Sequence, residues 1–97
     1  MKKILILGSN ARATAIAIRL YRAGFGVCII EEEKPLDLYF SRTYSRAVYT
    51  GYCTIDTVGA RTLPKAVETD LLPETTTVND FVSFSFANKE IPVLYIG

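Results

Sequence analysis

The chain has 97 residues, which is enough for one domain, and we predict a single domain over residues 1–97. Its 11 basic and 10 acidic residues nearly balance, which disfavours a dedicated nucleic-acid binder because such proteins carry a basic surplus. The chain contains no histidine. Within these residues, that absence excludes histidine-based nucleophile pairs, histidine general bases and histidine-liganded metal sites.

Two cysteines, Cys28 and Cys53, are too few for a disulfide framework or a four-thiolate zinc site. Cys28 lies in an apolar run, so we predict a buried core thiol. No apolar stretch approaches the roughly 18 residues that span a bilayer. The apolar run after Lys2 and Lys3 stops at Gly8, short of a signal-peptide core. We therefore expect no membrane segment and a cytoplasmic protein.

The first third of the chain has the pattern of a βαβ unit. Residues 3–7 are an apolar run that predicts a strand buried on both faces, and it ends in a turn at Gly8. Asn10 is suited to cap a following helix, and Gly24 is suited to end it. Residues 26–30 predict a second buried strand. The predicted helix carries apolar residues at helical spacing, namely Ala13, Ile16, Ala17, Leu20 and Tyr21.

The rest of the chain carries weaker signals. We predict a third strand at 47–49, a short strand or a hairpin broken at Gly59 within 52–63, and a loop over 64–77 with at most one helical turn around 66–71. Residues 78–87 fit helical and strand spacing alike, and Asn79 and Asp80 favour a helix start. Residues 91–96 predict a last buried strand. The fold class is therefore α/β: a small three-layer Rossmann-like domain with a mainly parallel sheet of about four strands.

The turn between the first strand and its helix lies where a dinucleotide-binding fingerprint, G-x-G-x-x-G/A, would lie. Gly8 and Ala13 match the first and third signature positions, while Asn10 replaces the middle glycine. Glu31, at the end of the second predicted strand, stands where an acidic residue contacts ribose hydroxyls. No Walker lysine follows the turn, which excludes a P-loop ATPase.

The candidate site is therefore a nucleotide site at the carboxyl edge of the sheet. Gly8, Ser9, Asn10 and Arg12 are the candidate phosphate contacts, and Glu31 is the candidate ribose contact. The candidate ligands are NAD(P), FAD, AMP or a related nucleotide. A βαβ unit that kept its packing and has no ligand remains the alternative. The pattern assigns no catalytic residue and no metal ligand.

Several short segments follow one another at a familiar spacing. They are Arg22-Ala23-Gly24-Phe25, Glu31, Lys34-Pro35-Leu36, Ala47-Val48-Tyr49-x-Gly51, Thr54-Ile55-Asp56, Ala60-Arg61 and Ile91-Pro92-Val93-Leu94. Together they resemble the YqeB family, accessory proteins of selenium-dependent molybdenum hydroxylases, without gaps from Gly8 to about Leu63. The resemblance implies a Rossmann-like fold and an accessory role in molybdenum-enzyme maturation. Members usually run longer, so we expect this chain to match their Rossmann-like part.

The chain departs from the family at charged and glycine positions. Ser9-Asn10-Ala11 replaces a glycine-rich turn followed by aspartate, Tyr39-Phe40 replaces paired arginines, and Arg46 replaces an acidic residue. The matches fall mostly on packing and turn positions. This pattern favours a relative that kept the fold and lost the family's site. A changed anion site built from Arg12, Arg42 and Arg46 is the alternative.

Three hypotheses of different class follow. The first is a non-catalytic nucleotide- or anion-binding module. The second is a ligand-free interaction subunit, forming a homodimer or binding a partner protein through aromatic residues such as Tyr49 and Phe84. The third is a fragment of an NAD(P)-dependent enzyme, which we favour least because proton transfer would need Tyr, Lys, Glu or Cys. Nucleic acid and membrane partners are not expected.

Overall fold

A computed structural model describes residues 2–31 and 43–95. The strands are β1 (Lys3–Leu7), β2 (Gly26–Glu31), β3 (Tyr52–Ile55), β4 (Val58–Thr62) and β5 (Glu90–Tyr95). The helices are α1 (Ala11–Arg22), α2 (Ser45–Thr50), α3 (Leu63–Glu68) and α4 (Val78–Ala87). The segments predicted around Lys34-Pro35-Leu36, Tyr39-Phe40 and Arg42 lie outside the described residues, as does the side chain of Arg46.

The five strands form one sheet in the order β1-β2-β5-β4-β3. β1, β2, β5 and β4 are parallel, and β3 pairs with β4 in antiparallel fashion. The carboxyl ends of the four parallel strands, at Leu7, Glu31, Tyr95 and Thr62, therefore meet at one edge of the sheet, which we call the carboxyl edge. The prediction of a Rossmann-like α/β fold with a mainly parallel sheet is confirmed, with five strands in place of about four. The prediction that residues 3–7 are buried on both faces is wrong, because β1 is the edge strand and Leu5 and Leu7 are exposed.

In the middle of the chain, one element prediction is wrong and two are right only in part. Residues 47–49 lie in helix α2, not in a strand, and Gly51 ends that helix with a left-handed φ of 87°. The hairpin predicted within 52–63 is confirmed, but it turns at Asp56-Thr57 and is not broken at Gly59, which lies inside β4. Residues 63–68 form helix α3, which begins earlier and is longer than the single helical turn expected around 66–71. Pro64 is tolerated because it lies in the first turn.

The main core lies on one face of the sheet. Alternate residues of β2, β5 and β4, among them Ile29, Val93 and Ala60, point to this face and are almost fully buried. Ala17 and Ile18 of α1 cover β2, and Ala47 of α2 belongs to the same cluster. Small residues on the helices allow close approach to a sheet rich in branched side chains.

Helix α4 covers the opposite face and completes the third layer. It packs along β5, and its buried residues Phe81 and Ser85 are not part of the main core cluster. Glu90 and Pro92, which alternate with the core residues of β5, are also buried. The Thr77 side chain caps α4 by accepting the Asp80 N–H at 3.1 Å. The helix predicted over residues 78–87 is confirmed.

Tyr44 connects helix α1 to strand β4 across the main core. Its ring is fully buried, and its hydroxyl donates to the Val58 carbonyl at 2.8 Å. Its backbone N–H donates to Thr14 Oγ1 of α1 at 2.9 Å. Burial raises the pKa of Tyr44 well above its usual value, so the hydroxyl keeps its proton over the physiological pH range.

An ion pair stabilises the second face. The Arg61 guanidinium donates from Nε and Nη2 to the two carboxylate oxygens of Glu90, each at 3.0 Å. Both side chains are largely buried, and the Tyr52 ring covers the guanidinium at 4.3 Å. The hydrogen bond to Glu90 raises the pKa of Arg61. Gly59 leaves room for the Tyr52 ring, because a Cβ there would lie 2.7 Å from the Tyr52 hydroxyl.

Glu90→Gln is expected to lower the free energy of unfolding by about 1–3 kcal/mol, because it leaves the buried Arg61 charge without its counter-charge. The matched control is Glu68→Gln, which removes a 3.8 Å pair whose glutamate is 72% exposed. That control should change stability by less than about 0.5 kcal/mol. Urea denaturation measures both, and equal losses would contradict the assignment.

Candidate functional site

The candidate site begins at the turn that follows β1. The Gly8 N–H donates to the Ile30 carbonyl at 2.8 Å, which extends the β1–β2 pairing by one residue and brings the turn beside Glu31. Gly8 has a φ of 99°, a conformation that suits glycine. A Cβ at Gly8 would meet no atom within 4 Å, so the space beside it is open. The turn borders a recess of about 180 Å³ lined by Leu7, Gly8, Ile30 and Glu31.

Asn10 caps helix α1 with its own side chain. Its Oδ1 accepts the Ala13 N–H at 2.9 Å, so the side chain lies against the first turn of the helix. This contact uses one of the backbone donors that an anion at the helix start would need. The N–H groups of Ala11 and Arg12 also lie in the first turn, where a helix offers them no internal partner. Arg12 is exposed there.

Ser9 and Glu31 are joined across the turn. Ser9 is 1% exposed, and its hydroxyl donates to Glu31 Oε2 at 2.7 Å. The hydroxyl therefore orients the carboxylate, and it is not directed outward as a phosphate ligand would be. Glu31 is half-buried, and its carboxylate has capacity for further hydrogen bonds through its other oxygen.

Thr14 links this turn to the core, a role that the sequence pattern had not indicated. It is buried, and its hydroxyl donates to the Ser9 carbonyl at 3.2 Å while accepting the Tyr44 N–H. The backbone of the turn is thus tied to the segment that enters α2. The sequence signal for this role is a polar residue next to Ala13, at a position of α1 that faces the sheet.

A larger pocket of about 520 Å³ lies farther along the carboxyl edge, above β5 and β4. The described residues that line it come from α2, α3, the start of α4 and the strand ends, and most are apolar: Val48, Tyr49, Thr50, Gly51, Thr62, Leu63, Pro64, Lys65, Glu68, Val78, Val93, Leu94 and Tyr95. Its volume lies in the range typical of small-molecule sites. No sequence pattern pointed to this pocket.

The topology explains the position of this pocket. Helix α2, which follows β2, lies on the main-core face, whereas α4, which follows β4 and α3, lies on the opposite face. β5 lies between β2 and β4, so the pocket lies where the connections diverge. Ligands of open α/β sheets bind at such switch points. The two recesses are neighbours, because Glu31 and Tyr95 are paired in the sheet.

The structure also bears on the cysteines. Cys28 and Cys53 are both buried and are not joined to each other. Burial raises the pKa of the Cys28 thiol to about 11, which keeps it protonated at neutral pH. The prediction that Cys28 is a buried core thiol is confirmed. In residues 2–31 and 43–95, no group of three or more acidic or cysteine side chains is placed to hold a metal ion.

Together, the sheet order, the layered helices and the site at the carboxyl edge define the chain as a Rossmann-like α/β protein. The uncharacterized protein YqeB of Escherichia coli (strain K12) is 35% identical to it over 71 residues. The alignment covers 73% of this chain and 13% of YqeB, so the chain spans a small part of that protein. The chain is a distant homologue of this part of YqeB, which confirms the resemblance.

Other comparisons add nothing further. No family model matches the sequence, and no solved structure matches it significantly. Among the described residues, no helix is both long enough and apolar enough to cross a membrane.

The cap at Asn10 is expected to be replaceable by glycine and not by alanine. Asn10→Ala should lower the free energy of unfolding by about 1 kcal/mol, whereas Asn10→Gly should cost a few tenths. Urea denaturation measures both, with Asn79→Ala as the control because Asn79 is exposed within α4. The control should stay within about 0.5 kcal/mol of the parent. Equal losses for the two Asn10 variants would refute the cap assignment.

Proposed function

We propose that the chain is a non-catalytic nucleotide-binding module, with the phosphate at the Gly8 turn and the ribose on Glu31. The observation that supports it best is the Ser9–Glu31 hydrogen bond of 2.7 Å beside an open glycine turn. It holds an acidic side chain at the end of the second parallel strand, next to the start of a helix. This is the arrangement that a ribose phosphate needs.

The phosphate end of the proposal rests on the start of α1. The helix dipole and the backbone donors of its first turn favour an anion there. Arg12 adds an exposed positive charge at the same end, and α1 has no acidic residue in its first turn. Because Asn10 occupies the Ala13 N–H, this site has fewer donors than a turn with the middle glycine. We therefore expect weak phosphate binding.

The ribose end rests on the carboxylate of Glu31. Ser9 engages Oε2, and the second oxygen can accept hydrogen bonds from the ribose diol. NAD(P), FAD and AMP all carry a ribose phosphate of this kind, so any of them fits the proposal. The NAD(P)-dependent enzyme fragment remains less favoured, because the buried, protonated Cys28 is no nucleophile at neutral pH and the chain has no histidine.

We also propose a biological role for this module. The resemblance to accessory proteins of molybdenum hydroxylases favours a role in the maturation of such enzymes, carried out by binding and not by turnover. YqeB itself is uncharacterized, so its similarity adds no activity.

The ribose contact is tested by comparing AMP with 2′,3′-dideoxy-AMP by thermal shift and calorimetry. The parent should bind AMP at least about tenfold more tightly, because hydrogen bonds to a carboxylate contribute about 1.5–3 kcal/mol. Glu31→Ala should remove this preference. The control is Glu74→Ala, an exposed glutamate outside both recesses, which should keep it.

Two results would count against this function. One is the absence of a thermal shift with AMP, NAD⁺, NADP⁺ and FAD at millimolar concentration. The other is a diol preference that survives in Glu31→Ala. Comparing ligand-induced shifts, and not melting temperatures alone, separates loss of binding from loss of stability, since the alanine also removes a hydrogen bond of the buried Ser9 hydroxyl.

A ligand-free interaction subunit is the second candidate, and the surface of β1 favours it. β1 lies at the end of the sheet, and its side chains Leu5 and Leu7 are 58% and 72% exposed. The two aromatic residues predicted to lie on a dimer surface differ in exposure and position. Tyr49 is 46% exposed and borders the large pocket, whereas Phe84 is half-buried on α4.

Sedimentation velocity distinguishes these surfaces. If the chain is an interaction subunit that forms a homodimer, Leu7→Asp should shift it to monomer through the cost of burying a charge at the interface. Tyr49→Asp serves as the matched change on the pocket side and should leave a β1-mediated dimer intact. A parent that stays monomeric at high concentration would exclude the homodimer.

A further inference from the structure

The pocket above β5 has a chemical character different from that of the Gly8 turn. Most of its lining is apolar, and two aromatic side chains border it, Tyr49 from α2 and Tyr95 from β5. They are 46% and 40% exposed, so part of each ring faces outward. Aromatic rings in a recess of this size offer stacking surfaces to another flat ring.

One wall of the pocket is held in place by Lys65. A Cβ added to Gly51 would lie 2.6 Å from Lys65 Cβ and 2.8 Å from Cγ and Cδ, so the aliphatic stem lies directly on the glycine backbone. The left-handed φ of Gly51 requires glycine there as well. Lys65 therefore presents its stem as apolar wall, and its ammonium lies 3.8 Å from Glu68 Oε1. With one charge of each sign at the rim, the pocket has no strong preference for ligand charge.

We propose that this pocket binds a flat heteroaromatic ring. The volume of about 520 Å³, the apolar lining and the two tyrosines all favour a ring over an extended chain or an ion. The ring could be the base of a nucleotide whose ribose contacts Glu31, since Glu31 pairs with Tyr95 across neighbouring strands, or a separate ring compound. Ring binding does not depend on the proposed ribose and phosphate contacts.

A single tryptophan provides the test, because the chain has none. In Tyr95→Trp, adenine, nicotinamide and AMP should quench the indole fluorescence saturably, with a dissociation constant of about 1 mM or tighter for at least one of them. Ribose 5-phosphate, which lacks a ring, should not quench it. Leu5→Trp is the control, because Leu5 is exposed on β1 outside the pocket.

A blocking variant completes the experiment. Val78 borders the pocket and is 51% exposed, so Val78→Arg should fold while placing a bulky charge in the ring's path. Introduced beside Tyr95→Trp, it should weaken quenching by about tenfold or more. If AMP binds more tightly than adenine and Glu31→Ala removes the gain, the ring is the base of a nucleotide. Equal affinities identify a separate ring compound, and both results support the pocket assignment.

Three outcomes would overturn it. They are the absence of saturable quenching by any of the ring compounds, equal quenching in Leu5→Trp, and no effect of Val78→Arg. Failure of the ribose contact would appear separately, as AMP and 2′,3′-dideoxy-AMP quenching Tyr95→Trp equally.

Discussion

The hydrogen-bonded burial of Tyr44 is the constraint on which the rest of the structure depends. Its hydroxyl reaches β4 through Val58, and its N–H reaches α1 through Thr14. Thr14 also bonds the Ser9 carbonyl, so the same short chain of contacts fixes the backbone that follows β1. A buried polar group must find partners or lose stability, and here those partners belong to α1 and to β4. The position of the Gly8 turn relative to the rest of the carboxyl edge thus depends on the hydrogen bonds of one residue, Tyr44.

The first βαβ unit could be predicted because its signals are local. A buried apolar run, the capping Asn10 and the glycine at Gly24 each mark one boundary. The middle of the chain lacked such marks. Residues 47–49 are apolar in succession, and a helix of six residues is too short to be told from a strand by periodicity. Gly59 suggested a break, although its actual role is to leave space for the Tyr52 ring across the hairpin.

The candidate site was predictable in part for a similar reason. Parallel strands bring their carboxyl ends together whatever their side chains are, so the meeting of Gly8, Ser9 and Glu31 followed from topology. The topology did not determine the direction in which each side chain points. Ser9 turns inward to the carboxylate, and Asn10 turns back to its own helix. The large pocket could not be predicted, because its lining comes from separate short apolar stretches and each of them resembles ordinary core.

The β3–β4 hairpin turn lies at the amino-terminal edge of the sheet, opposite both recesses. Asp56 and Thr57 adopt φ values of 50° and 68°, which are unfavourable for a branched side chain such as that of threonine. The Arg22 guanidinium donates a hydrogen bond to the Asp56 carbonyl. A turn of this kind ordinarily uses Asn-Gly. An Asn-Gly replacement there would relieve the unfavourable backbone angles at a place remote from the carboxyl edge, so it would change the scaffold and leave both recesses unaltered.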